Sequence, residues 1–384
     1  MLNILNKKMH GDTFEMRDLA ARICKDYLHG AWKNVTAHDI GFKHISGGLS
    51  NLLYHVSLPS DLYNTYDEKK KHHIEEPKEV LIRIYGQTHG EGALEALITE
   101  SVIFTLLSER GLGPKLHGIF PGGRIEQYIN ARPLLNKELA DERLSTMIAQ
   151  KMASLHSMEV PLHKEPDWLW NTIDRWLRTC DKKLQGDEVP VFIKDLLNDV
   201  NLKEEAKWLK MRLEQENSPV VFCHNDMQEG NILMCMDQDK ENNPLDKQIV
   251  IIDFEYCSYN YRGFDIANHF IEWVYDYKEE NHPFFTEDRK NYPTEKQRLT
   301  FIKAYLEERK SRENPRKVLK EVEVFTLATN FFWSLWAFIN ADTSQIPFGY
   351  WEYGFSRLTA YFQLKERLSC NLQIKRKVEC LCLD

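Results

Sequence analysis

The amino-acid sequence predicts an α+β protein of two lobes, a small β-rich lobe over residues 1–128 and a large, mainly helical lobe over residues 129–384. Two observations predict this division. Up to residue 128, short aliphatic runs separated by glycine turns are typical of strands and hairpins. Beyond residue 137, apolar residues recur mostly at helical spacing. The chain has 384 residues, so each lobe is large enough to bury a core of its own.

Five elements are predicted in the first lobe, in the order helix, hairpin, strand, helix and hairpin. They cover residues 13–32, 41–56, 80–85, 94–110 and 116–128. Both helices have apolar residues at helical spacing, and the second ends at Gly111. Both hairpins have glycines in the turn. The single strand is aliphatic except for Arg83, so one of its faces must meet a polar partner or solvent.

Three elements in the second lobe carry the argument for function. Two short apolar runs, residues 220–223 and 249–252, are predicted strands, and polar side chains follow each of them directly. Residues 321–340 are predicted to form a helix with apolar residues on both sides. Trp333 and Trp336 lie nearly opposite the main apolar face of that helix.

Composition and charge exclude several classes of protein. The formal net charge of -8 argues against nucleic acid as a partner. The apolar run 331–339 is too short to span a membrane, and residues 1–10 lack a long apolar segment with a cleavage site. We therefore expect a cytoplasmic protein without stable membrane insertion. The eight cysteines are scattered and are expected to be reduced thiols.

Polar residues after the two strands predict a catalytic centre. Asp226 follows the first strand and is the candidate general base, with Gln228 close enough to orient it or to contact phosphate. Asn231 and Asp253 are candidate magnesium ligands, since Mg²⁺ prefers oxygen donors, and Glu255 could support a second metal ion or its waters. The spacing Asp-x-x-x-x-Asn followed by Asp-Phe resembles the catalytic and metal loops of protein kinases. His224 is expected to bond backbone. The alternative is two buried strands that end in polar loops.

Residues in the first lobe suggest contacts to phosphate. The glycines of the turn 46–51 would let backbone amides approach phosphate oxygens. Arg83 could bind phosphate through its planar guanidinium, with Glu100 on the next helix as its ion-pair partner. An ordinary hairpin turn and an edge-strand arginine facing water are the alternatives.

An aromatic cluster after the second strand suggests the acceptor. Indole and phenol faces together with a carboxylate suit a quaternary ammonium, which binds by cation–π attraction. Glu272 is the candidate carboxylate. Plain core packing is the alternative for the two tryptophans.

Taken together, these motifs resemble the choline/ethanolamine kinase family over about residues 32–364. The quoted motifs are residues 45–51, 220–226, 228–233 and 253–273. The resemblance implies a protein-kinase-like fold with an ATP-binding first lobe, ATP and Mg²⁺ as cofactors, and a cytosolic homodimer. By motif, the nucleotide contacts would be Ser50, Arg83, Gln127 and Ile129, and the choline pocket would be Tyr256, Glu272, Tyr277, Trp333, Trp336 and Tyr353.

The resemblance predicts ATP-dependent phosphorylation of choline to phosphocholine, the first step of the CDP-choline route to phosphatidylcholine. Ethanolamine, or both alcohols, is the alternative substrate. An aminoglycoside-type phosphotransferase would share the catalytic spacing but would want an acidic pocket for several amines. A catalytically silent binding protein would not need Asp226, Asn231 and Asp253 together.

Overall fold

A computed structural model describes residues 12–45, 51–59, 76–85, 93–236, 248–344 and 346–381, with side chains omitted at 51, 93–96 and 370–381. The chain divides into two compact units. The first consists of Met1–Arg132 with Cys235–Asn242, and the second of Pro133–Met234 with Asn243–Asp384. The predicted turn 46–50, which includes Ser50, lies outside the described residues.

Five antiparallel strands form the sheet of the first unit, in the order β1-β2-β3-β5-β4. Their bounds are β1 Gly41–Ile45, β2 Asn51–Ser57, β3 Glu79–Tyr85, β4 Leu116–Phe120 and β5 Gly123–Gln127. Two helices, α1 (Phe14–Tyr27) and α2 (Ala93–Glu109), accompany the sheet. Every element predicted here is confirmed, but the first helix ends early. The chain leaves α1 in an extended conformation at Leu28 and turns through Gly30, which has a positive φ of 57°.

The core of the first unit lies between α1 and the sheet. Leu19 and Ile23 of α1 share one buried cluster with strand residues such as Val56, Ile82 and Ile125. Trp32 is fully buried there, and its indole N–H donates to the carbonyl of Pro77 at 2.8 Å. The apolar residues alternate along each strand with a period of two, so they lie on one face of the sheet. Helix α1 covers that face.

Helices dominate the second unit. They are α3 Glu142–His156, α4 Asp167–Lys183, α5 Val191–Leu196, α6 Leu202–Glu214, α7 Arg262–Glu272, α8 Glu295–Glu308, α9 Pro315–Asn340 and α10 Tyr350–Leu381. The strands after β5 are short, namely β6 Ala131–Pro133, β7 Val220–Cys223, β8 Ile232–Cys235, β9 Ile249–Ile251, β10 Ser258–Tyr261, β11 Tyr275–Asp276 and β12 Thr286–Glu287. β7 pairs with β10, and β8 pairs with β9, both antiparallel.

Helix α9 is the centre of the second unit and packs against α4, α7, α8 and α10. It is longer than the sequence predicted, since it begins at Pro315 after the N-cap Asn314. Among the described helices, α9 alone is long and apolar enough to cross a membrane, but 83% of its most apolar stretch is buried inside the protein. That burial is what the central helix of a packed core requires.

A glycine brings α10 close to α9 beside the aromatic cluster. A Cβ atom at Gly354 would lie 2.4 Å from a ring carbon of Phe338, so only glycine permits this approach. The neighbouring Tyr353 is thereby carried towards α9, where its ring centroid lies 6.3 Å from that of Trp336.

The cysteines that the structure describes with side chains are all free thiols. They are Cys24, Cys180, Cys223, Cys235 and Cys257. No disulfide joins these five, and their reduced state stays a prediction. The side chains of Cys370, Cys380 and Cys382 lie outside the described set.

Candidate active site

The predicted catalytic residues lie on a loop between two strands of the second unit. β7 ends at Cys223, the loop follows, and β8 begins at Ile232. Asn225 adopts a positive φ of 69°, a conformation that asparagine tolerates better than most residues. Its side chain donates to Tyr256 O at 2.8 Å and to Ser258 Oγ at 2.9 Å, which ties the loop to the neighbouring strand.

Asp265, in the first turn of α7, fixes the catalytic loop by accepting hydrogen bonds from its backbone. Its Oδ2 accepts from the backbone N–H of His224 at 2.9 Å, and its Oδ1 accepts from that of Asn225 at 2.8 Å. His156 Nε2 donates to Oδ2 at 2.8 Å. Burial alone would raise the pKa of Asp265, but the hydrogen bonds from His156 and His224 hold that pKa below the usual carboxyl value.

Sequence reasoning missed Asp265, although a signal was present. An aspartate within an apolar helical stretch is rarely buried without a partner, and Asp265 is fully buried. Together with His156 and Cys223 it forms a tight group of potential metal ligands. Its carboxylate oxygens are already satisfied by three N–H donors, so we interpret this group as the support of the loop.

Asp226 is fixed by the amide of Asn231, a contact that the sequence analysis does not predict. Asn231 Nδ2 donates to Asp226 Oδ2 and to the Asp226 carbonyl, both at 2.9 Å. Burial raises the pKa of Asp226 well above its usual value, and the carboxylates of Glu272, Asp253 and Glu255 raise it further. This centre therefore favours any cation that enters it.

His224 bonds backbone, as predicted. Its Nε2 donates to the carbonyl of Ile252 at 3.0 Å, and its Nδ1 accepts from the N–H of Asp226 at 3.3 Å. Because the Ile252 carbonyl only accepts and the Asp226 N–H only donates, Nε2 carries a proton and Nδ1 does not, which is the neutral imidazole. Burial lowers the pKa of His224 in agreement with that state.

Among the described residues, Gln228 makes no hydrogen bond to Asp226, so the predicted orienting contact is not found, whereas its alternative, a contact with phosphate, stays a prediction. Gln228 caps the short helical turn Glu229–Asn231, and its Oε1 accepts from Gly230 N at 3.3 Å. The side chain folds back onto its own turn because the N-terminal amides of a helix need acceptors.

Asp253 follows β9 in the left-handed region, with φ 62°. Such a conformation costs about 1–3 kcal/mol for a residue other than glycine and is commonest at functional sites. Glu255, two residues further on, is exposed. With Asn231, these side chains offer oxygen donors, and the charges of Asp253 and Glu255 act on the half-buried carboxylate of Asp226. That composition fits a hard divalent cation.

Three aromatic rings adjoin the catalytic loop. The centroid of Trp333 lies 5.6 Å from that of Tyr256 and 5.5 Å from that of Trp336, all with edge-to-face geometry. Trp336 Nε1 donates to Tyr256 OH at 3.2 Å. Trp333 Nε1 donates to Asn268 Oδ1 at 2.7 Å, and Asn268 Nδ2 donates to the carbonyl of Asn225 in the catalytic loop at 3.4 Å. We call Tyr256, Trp333 and Trp336 the aromatic wall. Hydrogen bonds therefore connect this wall to the catalytic loop.

The buried carboxylate of Glu272 lies on the other side of this wall, next to Tyr277 and Tyr353. Tyr277 OH donates to Glu272 Oε2 at 2.7 Å and lies 3.1 Å from Tyr353 OH. Arg357 forms an ion pair with Glu272 Oε1 and donates to Tyr353 OH. The structure thus brings together all six predicted pocket residues, the two tryptophans included, and Trp336 is only half-buried.

Two further residues of the cluster escaped sequence reasoning. Arg357 is completely buried and forms an ion pair with Glu272, the predicted carboxylate of the pocket. Phe348 lies in the segment between α9 and α10, with its ring centroid 6.2–6.5 Å from those of Tyr277 and Trp336. Neither shows a sequence signal, because their positions depend on how α10 folds back onto α9.

The predicted nucleotide contacts lie in the first unit and show one error. Arg83 Nε lies 3.1 Å from Glu126 Oε1, an ion-pair distance without hydrogen-bond alignment. Arg124 donates to Glu100 Oε1 and to Glu126 Oε1, both at 2.6 Å. The predicted pair of Arg83 and Glu100 is therefore wrong. The physical reason is that Arg124 lies directly opposite Arg83 on β5, shares its face of the sheet, and takes Glu100 as its own partner.

The other two predicted nucleotide residues lie at and just after the end of β5. The N–H of Gln127 donates to Lys115 O at 2.7 Å, so that amide belongs to the sheet. Ile129 is half-buried in the segment that follows. Whether they meet a nucleotide stays a prediction.

His269 of α7 gives a pH-dependent contribution to stability. Its Nδ1 donates to the Met227 carbonyl of the catalytic loop at 2.9 Å, and its Nε2 accepts from Trp273. Burial lowers the pKa of His269 to about 4. Its contribution is thus present above the unfolded pKa of about 6.5 and is lost as the pH falls towards 4.

We expect the free energy of unfolding to fall by about 2 kcal/mol more in the wild type than in His269→Gln between pH 7 and pH 5. Glutamine keeps a donor for Met227 but does not titrate. Urea unfolding at both pH values measures the difference. Equal pH dependence in the two proteins would contradict a buried, neutral His269.

The chain is similar in sequence to known proteins. The sequence profile described as choline/ethanolamine kinase matches residues 42–362. A Homo sapiens protein named choline/ethanolamine kinase is 46% identical over 355 residues, which cover 90% of this chain and 85% of the relative. Choline kinase alpha of Mus musculus is 41% identical over 373 residues, covering 90% and 80%.

A solved structure is similar in fold as well. The crystal structure of a choline kinase from Cryptosporidium parvum matches with a TM-score of 0.72 and 29% identity, over 92% of this chain and 96% of that one. This likeness confirms the predicted α+β fold of the two-lobed, protein-kinase-like type.

Proposed function

The chain belongs to the choline/ethanolamine kinase family, and from that premise we propose that it transfers the γ-phosphoryl group of ATP to the hydroxyl of choline. The single observation that carries the choice of acceptor is the aromatic wall beside Asp226. Trp333, Trp336 and Tyr256 offer ring faces, which attract a cation that cannot donate hydrogen bonds. The reaction yields ADP and phosphocholine, the first step of the CDP-choline route.

Asp226 acts as the general base. Asn231 holds its Oδ2, so the carboxylate keeps one orientation while the hydroxyl of choline approaches. The charge on Asp226 is disfavoured by burial and by Glu272, Asp253 and Glu255. A cationic substrate in this centre lowers that penalty, so the base is ionised most readily when the substrate is bound.

Magnesium fits the donor set that the structure presents. The Oδ1 atom of Asn231 and the carboxylate of Asp253 would hold the ion, and Glu255 would hold a second ion or its waters. Bound together with ATP, magnesium would neutralise the charge of the phosphates. Ser50, Arg83, Gln127 and Ile129 are proposed to contact the nucleotide, and the paired Glu100 acts through Arg124.

Ethanolamine is the second candidate acceptor, and a specific observation favours it. A primary ammonium donates hydrogen bonds, and the carboxylate of Glu272 and the hydroxyls of Tyr277 and Tyr353 are acceptors beside the wall. Arg357 and Tyr277 already occupy both oxygens of Glu272, however. Because Arg357 and Tyr277 compete with a primary ammonium for Glu272, we propose choline as the preferred acceptor.

Product analysis tests the function. The purified chain is incubated with ATP, magnesium and either choline or ethanolamine, and the products are identified by ³¹P NMR. We expect phosphocholine to accumulate, and a chelator of magnesium to stop the reaction. Phosphoethanolamine as the sole product would reverse the choice of acceptor, and no transfer to either alcohol would refute the proposal.

Trp336→Ala is expected to raise KM for choline by about fivefold or more, since one desolvated cation–π contact contributes on the order of 1 kcal/mol. A matched control is Trp208→Ala. Trp208 is also half-buried and faces a cation, with Lys365 Nζ 4.3 Å from its ring centroid, but it lies on α6. Steady-state kinetics measures both variants. An unchanged KM in Trp336→Ala would assign Trp336 to the core alone.

We further propose that the protein is a cytoplasmic homodimer. Support for self-association comes from exposed apolar side chains on the first unit, Ile98, Val102 and Ile119, which line one shallow groove. Sedimentation equilibrium of the purified chain measures the oligomeric state. A single species with the mass of one chain would contradict the dimer.

A further inference from the structure

The second unit contains a cavity of about 550 Å³ that is separate from the substrate residues. It lies among α9, α10, the end of α7 and the segment from β12 to α8. Its charged lining residues are Glu287, Arg289, Arg298, Glu323 and Arg367. A cavity of this size falls within the range of small-molecule sites.

A buried acceptor in this cavity has no partner. Asn330 is 2% exposed, lines the cavity, and its Oδ1 makes no hydrogen bond within the part of the chain that the structure describes. Its Nδ2 donates to the carbonyl of Thr326 at 3.0 Å, which fixes the orientation of the amide because a carbonyl cannot donate. An unpaired buried acceptor costs about 1–3 kcal/mol, so a ligand with a donor group would recover that free energy.

Cationic donors accompany this acceptor. Arg298 Nε is buried and has no hydrogen-bond partner among the described residues, although Nη1 of the same side chain donates to Glu323 Oε1 at 2.8 Å. Arg367 is exposed at the rim and makes no ion pair with any described residue. Arg289 is paired with Glu287. The lining thus has two paired arginines and one unpaired one, which gives the cavity an excess of positive charge.

The remaining wall is apolar. Ile271 and Val274 line one side of the cavity, and Ala360, Leu364 and Leu368 of α10 line the other. A purely inorganic anion would leave this surface in contact with water. A ligand with a hydrocarbon part would cover it.

We propose that this cavity binds an anionic amphiphile, namely a phosphomonoester that carries a hydroxyl group and a hydrocarbon part. The phosphate accepts from Arg298 Nε and Arg367, since guanidinium groups match phosphate oxygens well. The hydroxyl donates to Asn330 Oδ1. The hydrocarbon part packs against the apolar wall.

One side chain of the cavity also contacts residues of the substrate pocket. Tyr275 lines the cavity, and its ring lies under the guanidinium of Arg357, the partner of Glu272, at 4.3 Å. Tyr275 also stacks on Tyr277, with centroids 6.3 Å apart. A ligand that shifts the ring of Tyr275 would change the affinity for choline, and choline would then change the affinity for that ligand by the same factor.

Calorimetric titration of the full chain tests the site with three probes. Decanoyl glycerol phosphate below its micelle concentration carries all three groups, glycerol phosphate lacks the chain, and decanoylglycerol lacks the phosphate. We expect saturable one-to-one binding of the complete probe. Equal affinity for glycerol phosphate would mean that the hydrocarbon part contributes nothing, and it would overturn the proposal of an amphiphile in favour of a soluble phosphomonoester. Equal affinity for decanoylglycerol, or no binding of any probe, would overturn the proposal.

Variants locate the site. Arg367→Glu reverses an exposed charge, and Asn330→Leu removes the unpaired acceptor; each is expected to weaken the complete probe about tenfold. Arg178→Glu on α4 makes the same charge change elsewhere on the surface and serves as the control. Binding that is equally strong in Arg367→Glu and wild type would exclude this cavity. These titrations do not depend on turnover, so they stand apart from the test of the kinase activity.

Discussion

Asp226→Asn is expected to lower kcat for choline by about 10²- to 10⁴-fold, with a much smaller change in KM. Asparagine keeps the shape of the side chain and can still pair with Asn231, but it cannot accept the hydroxyl proton. The aromatic wall and Glu272 are untouched, so choline still binds. Single-turnover formation of phosphocholine, combined with calorimetric choline affinity, separates the chemical step from binding.

Asp195→Asn provides the matched control, because Asp195 is exposed on α5, away from the loop. It is expected to turn over as fast as the wild type. Full turnover by Asp226→Asn would mean that another group takes the proton, and the proposed mechanism would fail.

Asp265→Ala is expected to lower the free energy of unfolding by about 3–5 kcal/mol and to abolish most of the activity of the folded fraction. The substitution leaves the amides of His224 and Asn225 and the ring of His156 without their buried acceptor. The catalytic loop then loses its attachment to α7. Urea unfolding and steady-state kinetics measure the two effects.

The milder variant Asp265→Asn separates positioning from folding. An amide has one acceptor atom, so it can satisfy only part of the same set of donors. We expect a stable protein with reduced kcat and nearly unchanged choline affinity. Wild-type kcat in folded Asp265→Asn would contradict a positioning role for this carboxylate.

The predicted elements of the fold were recovered because their signals are local. Aliphatic runs between glycine turns gave the sheet of the first unit, and the polar ends of β7 and β9 gave Asp226 and Asp253. The early end of α1 at Tyr27 depended on extended backbone at Leu28, which the apolar pattern does not encode. The true length of α9 was missed because its first turns are polar and amphipathic.

The site residues that the sequence does not predict are placed by contacts between elements distant in sequence. The resemblance to protein kinases predicts a pair of Arg83 and Glu100, whereas the register of β3 and β5 places Arg124 beside Arg83, and Arg124 pairs with Glu100. Arg357 reaches Glu272 across 85 residues, and Asp265 reaches the catalytic loop across about 40. Such pairings are set by tertiary packing, which spacing along one sequence does not reveal.

The ratio of kcat/KM for choline to that for ethanolamine tests most directly whether the aromatic wall selects the substrate. It is measured in the wild type and in Trp336→Ala under the same conditions of ATP and magnesium. The account predicts a clear preference for choline in the wild type. It also predicts that the ratio falls by about fivefold or more in the variant, because choline loses a cation–π contact that ethanolamine can replace with hydrogen bonds. A wild-type preference for ethanolamine, or a ratio unaffected by loss of the indole, would contradict it.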